Sequence, residues 1–124
     1  MVNGVETVLL VDDEEIVIGV GKQMLERLGF SVLTARNGQE AVAVYQNNPA
    51  GVDLVLLDMI MPGMGAAETY DQLKAVNPGI KVILSSGYSL DQKAGAILER
   101  GCNGFIQKPF NMKLLEEKIV EILK

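Results

Sequence analysis

The sequence predicts an α/β fold built from five βα units, a doubly wound parallel sheet of five strands. Three observations point to it. Short apolar runs recur at Thr7–Val11, Ser31–Ala35, Asp53–Leu57, Lys81–Ser85 and Gly104–Gln107, with starts roughly 25 residues apart, the length of one strand–loop–helix unit. Each run is followed by apolar residues at helical spacing. The runs are rich in Val, Leu and Ile, as strands covered on both faces of a parallel sheet must be.

The elements follow in order. Thr7–Val11 is a strand, and the stripe Ile16, Val17, Val20, Met24 and Leu28 forms the inward face of the first helix, which Gly29 ends. Gly19 and Gly21 lie inside that helix and each should cost up to about 1 kcal/mol relative to alanine. Ser31–Ala35 is the most polar run and is placed at a sheet edge. Asn37 with Glu40 reads as a capping box leading into Ala41, Val42 and Tyr45. A third helix runs from about Gly65 to Val76 and is stopped by Asn77-Pro78-Gly79. Ser89 with Gln92 reads as the cap of a fourth helix, whose inward residues are Ala94, Ile97 and Leu98 and whose end is Gly101. Asn111 caps the fifth, which turns Leu115, Ile119 and Ile122 inward.

The 124 residues fit a single domain, 1–124, with no linker or internal repeat. With 11 basic and 16 acidic side chains the net charge is −5, which argues against a nucleic-acid surface. No run is long enough to cross a membrane, and the first residues lack the basic and apolar segments of a signal peptide. The lone Cys102 permits no intrachain disulfide, which suits a reducing, cytoplasmic setting. Histidine is absent, which removes Ser-His-Asp hydrolysis, most zinc chemistry and self-phosphorylation on histidine.

In an open α/β sheet, ligands bind beyond the carboxyl ends of the strands. Asp12-Asp13 stand at the end of the first strand, Asp58 at the third, Ser85-Ser86-Gly87 at the fourth and Lys108-Pro109-Phe110 at the fifth. Taken singly, the acids read as helix caps, the serines as backbone-capping hydroxyls and the lysine as a solvated charge. Together they bring three carboxylates, a hydroxyl and an ammonium to one rim. Three carboxylates repel by up to about 4 kcal/mol per pair at 4 Å and an effective dielectric of 20. A hard divalent cation offsets that repulsion, and oxygen-only ligands favour Mg²⁺, with Mn²⁺ next. A cation, an ammonium and a hydroxyl suit a phosphoryl group, with a carboxylate as nucleophile. Other phosphate motifs fail. Gly21-Lys22 is not a P-loop, because Ile16 stands where its first glycine should and Gln23 replaces Ser/Thr. Gly19-Val20-Gly21 lacks the third glycine of a dinucleotide fingerprint.

Four segments, Val8-Leu9-Leu10-Val11-Asp12-Asp13-Glu14, Leu56-Leu57-Asp58-Met59-Ile60-Met61-Pro62-Gly63-Met64, Ile83-Leu84-Ser85-Ser86-Gly87 and Gly104-Phe105-Ile106-Gln107-Lys108-Pro109-Phe110, together resemble the receiver domain of bacterial two-component response regulators. The resemblance spans essentially the whole chain. It implies a flavodoxin-like strand order 2-1-3-4-5. It also implies Asp58 as phosphoacceptor, and Asp13, Asp12 and the backbone carbonyl of Ile60 with Asp58 as the metal site. Ser86 matches the switch hydroxyl, Lys108 the lysine (with a cis bond to Pro109), and Phe105 the aromatic switch. Ile60 and Tyr88 match positions bordering the path of hydrolytic water. The implied partner is a histidine kinase or histidine phosphotransfer domain, with acetyl phosphate as a small-molecule alternative. The implied output surface for an unknown partner is the face of the fourth helix, fifth strand and fifth helix. A receiver of this kind is not an enzyme towards external substrates, and it stands alone or belongs to a hybrid sensor kinase or larger regulator. Two other readings use the same residues. A phosphatase of the haloacid dehalogenase type would need Asp-x-Asp after the first strand and a cap domain, but Asp12 and Asp13 are adjacent. A pseudo-receiver would be a scaffold that is never phosphorylated.

Overall fold

A computed structural model describes residues 6–48, 51–61, 63–87 and 91–123. The chain alternates β1 (Thr7–Val11), α1 (Glu15–Arg27), β2 (Ser31–Ala35), α2 (Gly38–Asn47), β3 (Leu54–Asp58), α3 (Ala66–Val76), β4 (Val82–Ser86), α4 (Gln92–Glu99), β5 (Gly104–Gln107) and α5 (Met112–Leu123). The five strands form one sheet in the order β2-β1-β3-β4-β5, every neighbouring pair parallel. The expected fold and the edge position of Ser31–Ala35 are both found. β3 and β4 each lie one residue later than the apolar runs suggest, because Asp58 and Ser86 extend the ladders by pairing with Ser85 and Gln107.

Side chains alternate across a strand, and here the alternation separates two cores. Leu9, Val11, Val55, Leu57, Val82 and Leu84 pack with Tyr45, Tyr70, Leu73 and Ile97 of α2, α3 and α4. Val8, Leu10, Leu54, Leu56, Ile83 and Ile106 pack with Leu25 of α1 and Leu115 and Ile119 of α5. Right-handed crossovers therefore place α1 and α5 on one face and α2, α3 and α4 on the other.

The helix ends explain themselves locally. Asn37 Oδ1 accepts from Glu40 N at 2.8 Å, while the Glu40 carboxylate reaches back to Arg36 N at 3.3 Å, one residue outside the cap. Gly29 and Gly101 end α1 and α4 with φ of +98° and +109°, a region that favours glycine. Asn111 Oδ1 accepts from Leu114 N, as a fifth-helix cap should.

Two expectations need correction. The N-cap of α4 is Asp91, whose side chain accepts from Ala94 N at 2.9 Å. Asp91 is the acceptor immediately before the first helical residue, whereas Ser89 lies outside the described residues. The inward face of α1 also differs: Ile16 is 81% exposed and Val20 48% exposed, while Gly21 and Leu25 are buried. Met24 and Leu28 do pack on the core, joined by Ile18. The helix turns Gly21 to the sheet because a Cβ there would stand only 3.0 Å from Leu10 Cδ2; the missing side chain is what brings α1 close.

Candidate phosphoacceptor site

The alternation that divides the cores also sorts the site residues. Asp58 continues the face of Leu54 and Leu56, so its carboxylate turns towards α1 and α5. Asp12, one residue past β1, continues the face of Val8 and Leu10. Both are almost fully buried, at 1% exposure for Asp12 and 3% for Asp58. Asp13 follows at the surface, and each of the three acids offers a carboxylate oxygen within 4.8 Å of the others. Asp12 Oδ1 also accepts from Glu14 N at 3.0 Å, which fixes the start of α1 against the cluster.

Lys108 reaches into this cluster from the loop after β5. Its Nζ donates to Asp12 Oδ2 at 3.0 Å and to Asp58 Oδ1 at 3.2 Å. Its backbone N–H donates to the Ser86 carbonyl at 2.6 Å, and its bond to Pro109 is cis, as expected from the resemblance. Burial raises the Asp58 carboxyl to about 6, and the neighbouring Asp12 charge pushes the same way. Lys108 and the backbone N–H of Ile60 offset only part of this. For Lys108, burial alone pushes its ammonium down, but the hydrogen bond and charge of Asp12 and the charge of Asp58 outweigh it and raise the pKa above the usual lysine value. One ammonium is thus set against a cluster of three carboxylates. That is a net negative, oxygen-lined pocket, and its donor set fits a hard divalent cation.

A cavity of about 770 Å³ opens over Asp58 and Lys108 and is walled by Asp13, Glu14, Ile16, Val20 and Phe110. A second, of about 370 Å³, lies on the other face of the sheet edge and is lined by Ser86, Phe105, Met59, Met61 and Ala94. Ile60, 58% exposed, borders both.

The family model of the response regulator receiver domain matches residues 8–120. The chain belongs to that family. Its role is that of a phosphoacceptor signalling module. The chain is 36% identical over 118 residues to a cyclic di-GMP phosphodiesterase of Thermotoga maritima, covering 95% of this receiver and 31% of that protein. It is 35% identical over 122 residues to the sensor kinase CckA of Brucella abortus, covering 98% of this receiver and 13% of the kinase. The receiver therefore spans a third or less of the length of these two relatives. Among solved structures, a complex of CheX and CheY with BeF3 and Mg²⁺ from Borrelia burgdorferi superposes with a TM-score of 0.91 at 28% identity, covering 96% of this chain and 90% of that one.

Within the receiver, Asp12, Asp13, Asp58 and Lys108 come together as the sequence suggests. Ser86 is buried at the end of β4, continues the face of Val82 and Leu84, and lines the second cavity with Phe105, the other residue assigned to the switch. By the same alternation Ser85, which pairs in register with Asp58, lies on the face of Asp58. Tyr88 lies outside the described residues. Sequence reading missed that Ile16 and Val20 join Phe110 in an apolar wall beside Asp58, since it turned Ile16 and Val20 inward. The glycine at position 21 was the available signal: with Gly21 and Leu25 facing the sheet, Ile16 and Val20 are left at the surface. Among the described residues no helix is long and apolar enough to cross a membrane.

Proposed function

We propose that Asp58 accepts a phosphoryl group in a Mg²⁺-dependent reaction with a phosphohistidine on a histidine kinase or histidine phosphotransfer domain. The observation that carries this reading is the bridging of Asp58 and Asp12 by Lys108 within a cluster of three carboxylates. Asp12, Asp13, Asp58 and the Ile60 carbonyl would hold Mg²⁺ (Mn²⁺ can substitute), which when bound neutralises charge on the transferring phosphoryl oxygens. A similar chain, CheY of Borrelia burgdorferi, is seen in a complex that contains BeF3 and Mg²⁺, which supports a Mg²⁺-dependent reading.

A carboxylate oxygen of Asp58 forms the new O–P bond while the P–N bond of the donor breaks, and the electron pair leaves with the imidazole nitrogen. The chain holds no histidine among its 124 residues, so the donor lies outside them, on another domain or protein or on a small molecule such as acetyl phosphate. Lys108, bonded to both carboxylates, would shift its hydrogen bonds from them to a phosphoryl oxygen. The aspartyl phosphate brings about −1.5 to −2 charges and three acceptor oxygens. Ser86 would turn towards it, and Phe105 would move into the space released within their shared cavity, changing the face of α4, β5 and α5 for an output partner. Ile60 and Tyr88 would border the approach of hydrolytic water.

On this reading residues 1–124 act as one cytoplasmic receiver that turns over no external substrate and serves as a stand-alone regulator or as part of a hybrid kinase or larger regulator. It binds no nucleic acid directly and inserts into no membrane. The test is intact-mass measurement after incubation with Mg²⁺ and acetyl phosphate. Wild type should gain one phosphate and Asp58→Asn none; equal labelling of the two would refute the assignment.

A further inference from the structure

The charges around the large cavity are not equally compensated. Asp12 and Asp58 share Lys108, and Glu15, the next acid along α1, is paired with Arg36 at 2.5 Å. Glu14 lines the same cavity as Asp58, is exposed, and has no ion-pair partner among the described residues. A divalent cation together with Lys108 would balance the charges of Asp12, Asp13 and Asp58, leaving Glu14 as the surplus negative charge at the entrance. The rest of that entrance is apolar or neutral, formed by Ile16, Val20, Ile60, Gly87 and Phe110. A phosphodonor that reaches Asp58 through this cavity meets the field of this carboxylate, and donors differ in charge. An acyl phosphate such as acetyl phosphate is a dianion near neutral pH. A phosphoryl group on nitrogen carries compensating positive charge when that nitrogen is protonated, so phosphoramidate has a net charge of one.

We infer that Glu14 is a specificity-determining residue that disfavours dianionic acyl phosphates and so biases this site towards phosphoryl groups carried on nitrogen. The inference rests on the phosphoacceptor reading above. In both reactions an Asp58 oxygen forms the O–P bond. With acetyl phosphate the P–O bond breaks and acetate leaves with the electron pair. With phosphoramidate the P–N bond breaks and ammonia leaves. Glu14 touches neither bond; it acts on the approach of the donor. One extra unit of donor charge about 8 Å from a carboxylate in a water-like dielectric changes the encounter about two- to threefold. The effect should be screened away near 1 M salt, where the Debye length is about 3 Å.

The experiment compares initial rates of Asp58 phosphorylation by acetyl phosphate and by phosphoramidate at saturating Mg²⁺, in wild type, Glu14→Gln and Glu116→Gln. Taking the ratio of the two donors cancels changes in fold or metal affinity common to both. Glu14→Gln should raise the acetyl phosphate to phosphoramidate ratio about two- to threefold at low salt, converging on wild type at 1 M, while Glu116→Gln on α5 leaves it unchanged. A second readout needs neither metal nor turnover. Amide NMR titrations of the metal-free protein should show sulfate, a dianion, gaining more affinity from Glu14→Gln than sulfamate, a monoanion. An unchanged donor ratio, or one that changes equally at all salt concentrations, would overturn the role of Glu14. Wild type unlabelled by either donor would overturn the receiver chemistry itself, and this inference with it.

Discussion

Lys108 and Asp12, 96 positions apart in the chain, are joined by a 3.0 Å hydrogen bond, and the same ammonium lies 3.2 Å from Asp58. Asp58, flanked by a second buried carboxylate, needs this cation, since two close carboxylates share a low-dielectric site poorly. Lys108→Met removes it. The Asp58 carboxyl should then titrate above its value of about 6, because a cause that lowers it is gone while burial and Asp12 remain. Phosphorylation by a small donor should slow by about a hundredfold, the scale of losing one charge-stabilising donor. Carboxyl carbon-13 NMR reads the titration, and an Asp58 that titrates as in wild type would remove Lys108 from the electrostatic balance.

Stability should depend on pH through Asp58 with a definite sign. Its folded value of about 6 lies above the 3.8 of an unperturbed aspartate. Between these values the native state holds more protons than the unfolded chain, so stability falls as pH rises through that window. The contribution is fully present below about 4 and lost above about 6. Asp58→Asn carries no charge at either pH. In metal-free buffer it should be more stable than wild type by about 1–2 kcal/mol at pH 7, a range reduced for solvent screening, and equal to it near pH 3.5. Urea denaturation at the two pH values checks this, and a mutant that is no more stable at pH 7 would contradict it.

Metal should reverse that order. A cation that binds only the folded state raises stability with its concentration by mass action. Wild type should gain thermal stability as Mg²⁺ is added, Asp13→Ala should lose most of that gain, and Glu116→Ala should keep it. Affinity should be weak, since few protein oxygens are available and water must complete the shell. A Mg²⁺ response in Asp13→Ala equal to wild type would exclude Asp13 as a ligand.

The lifetime of the aspartyl phosphate should depend on positions 60 and 88. Ile60 is large, apolar and exposed at the border of both cavities, and cannot orient an attacking water. Ile60→Asn combined with Tyr88→Glu should shorten the lifetime at constant Mg²⁺. A phosphate-release time course in which the double mutant matches or outlasts wild type would rule out shielding.

The placement of α1 offers a test of packing that hydrophobicity alone would get wrong. Gly19 has nothing within 4 Å of an added Cβ, so Gly19→Ala should stabilise the protein by up to about 1 kcal/mol through helix propensity. Gly21→Val brings branched carbon against Leu10 and should destabilise by about 1–3 kcal/mol while disturbing the wall beside Asp58. Denaturation midpoints for the two variants should move in opposite directions.

That pair of glycines marks where sequence reading stopped. The five strands, the edge position of Ser31–Ala35 and the acids at the strand ends are all legible in the residue order. Each rests on a short-range signal: an apolar run, a cap, or a polar residue directly after a strand. The direction in which α1 faces emerges from its packing on the sheet. A glycine contributes nothing to a hydrophobic stripe, yet its lack of a side chain determines the closest approach to the sheet, and so Ile16 and Val20 are left outside. The fold also sets Asp58 and Ser86 at strand positions of opposite parity, with Asp58 bonded to Lys108 and Ser86 lining a cavity with Phe105. Strand parity makes that division, and parity depends on the residue at which each ladder begins. The one-residue offsets in β3 and β4 do not alter where Asp58 and Ser86 stand in the chain, but the register between strands, set by long-range packing, determines which side chains meet.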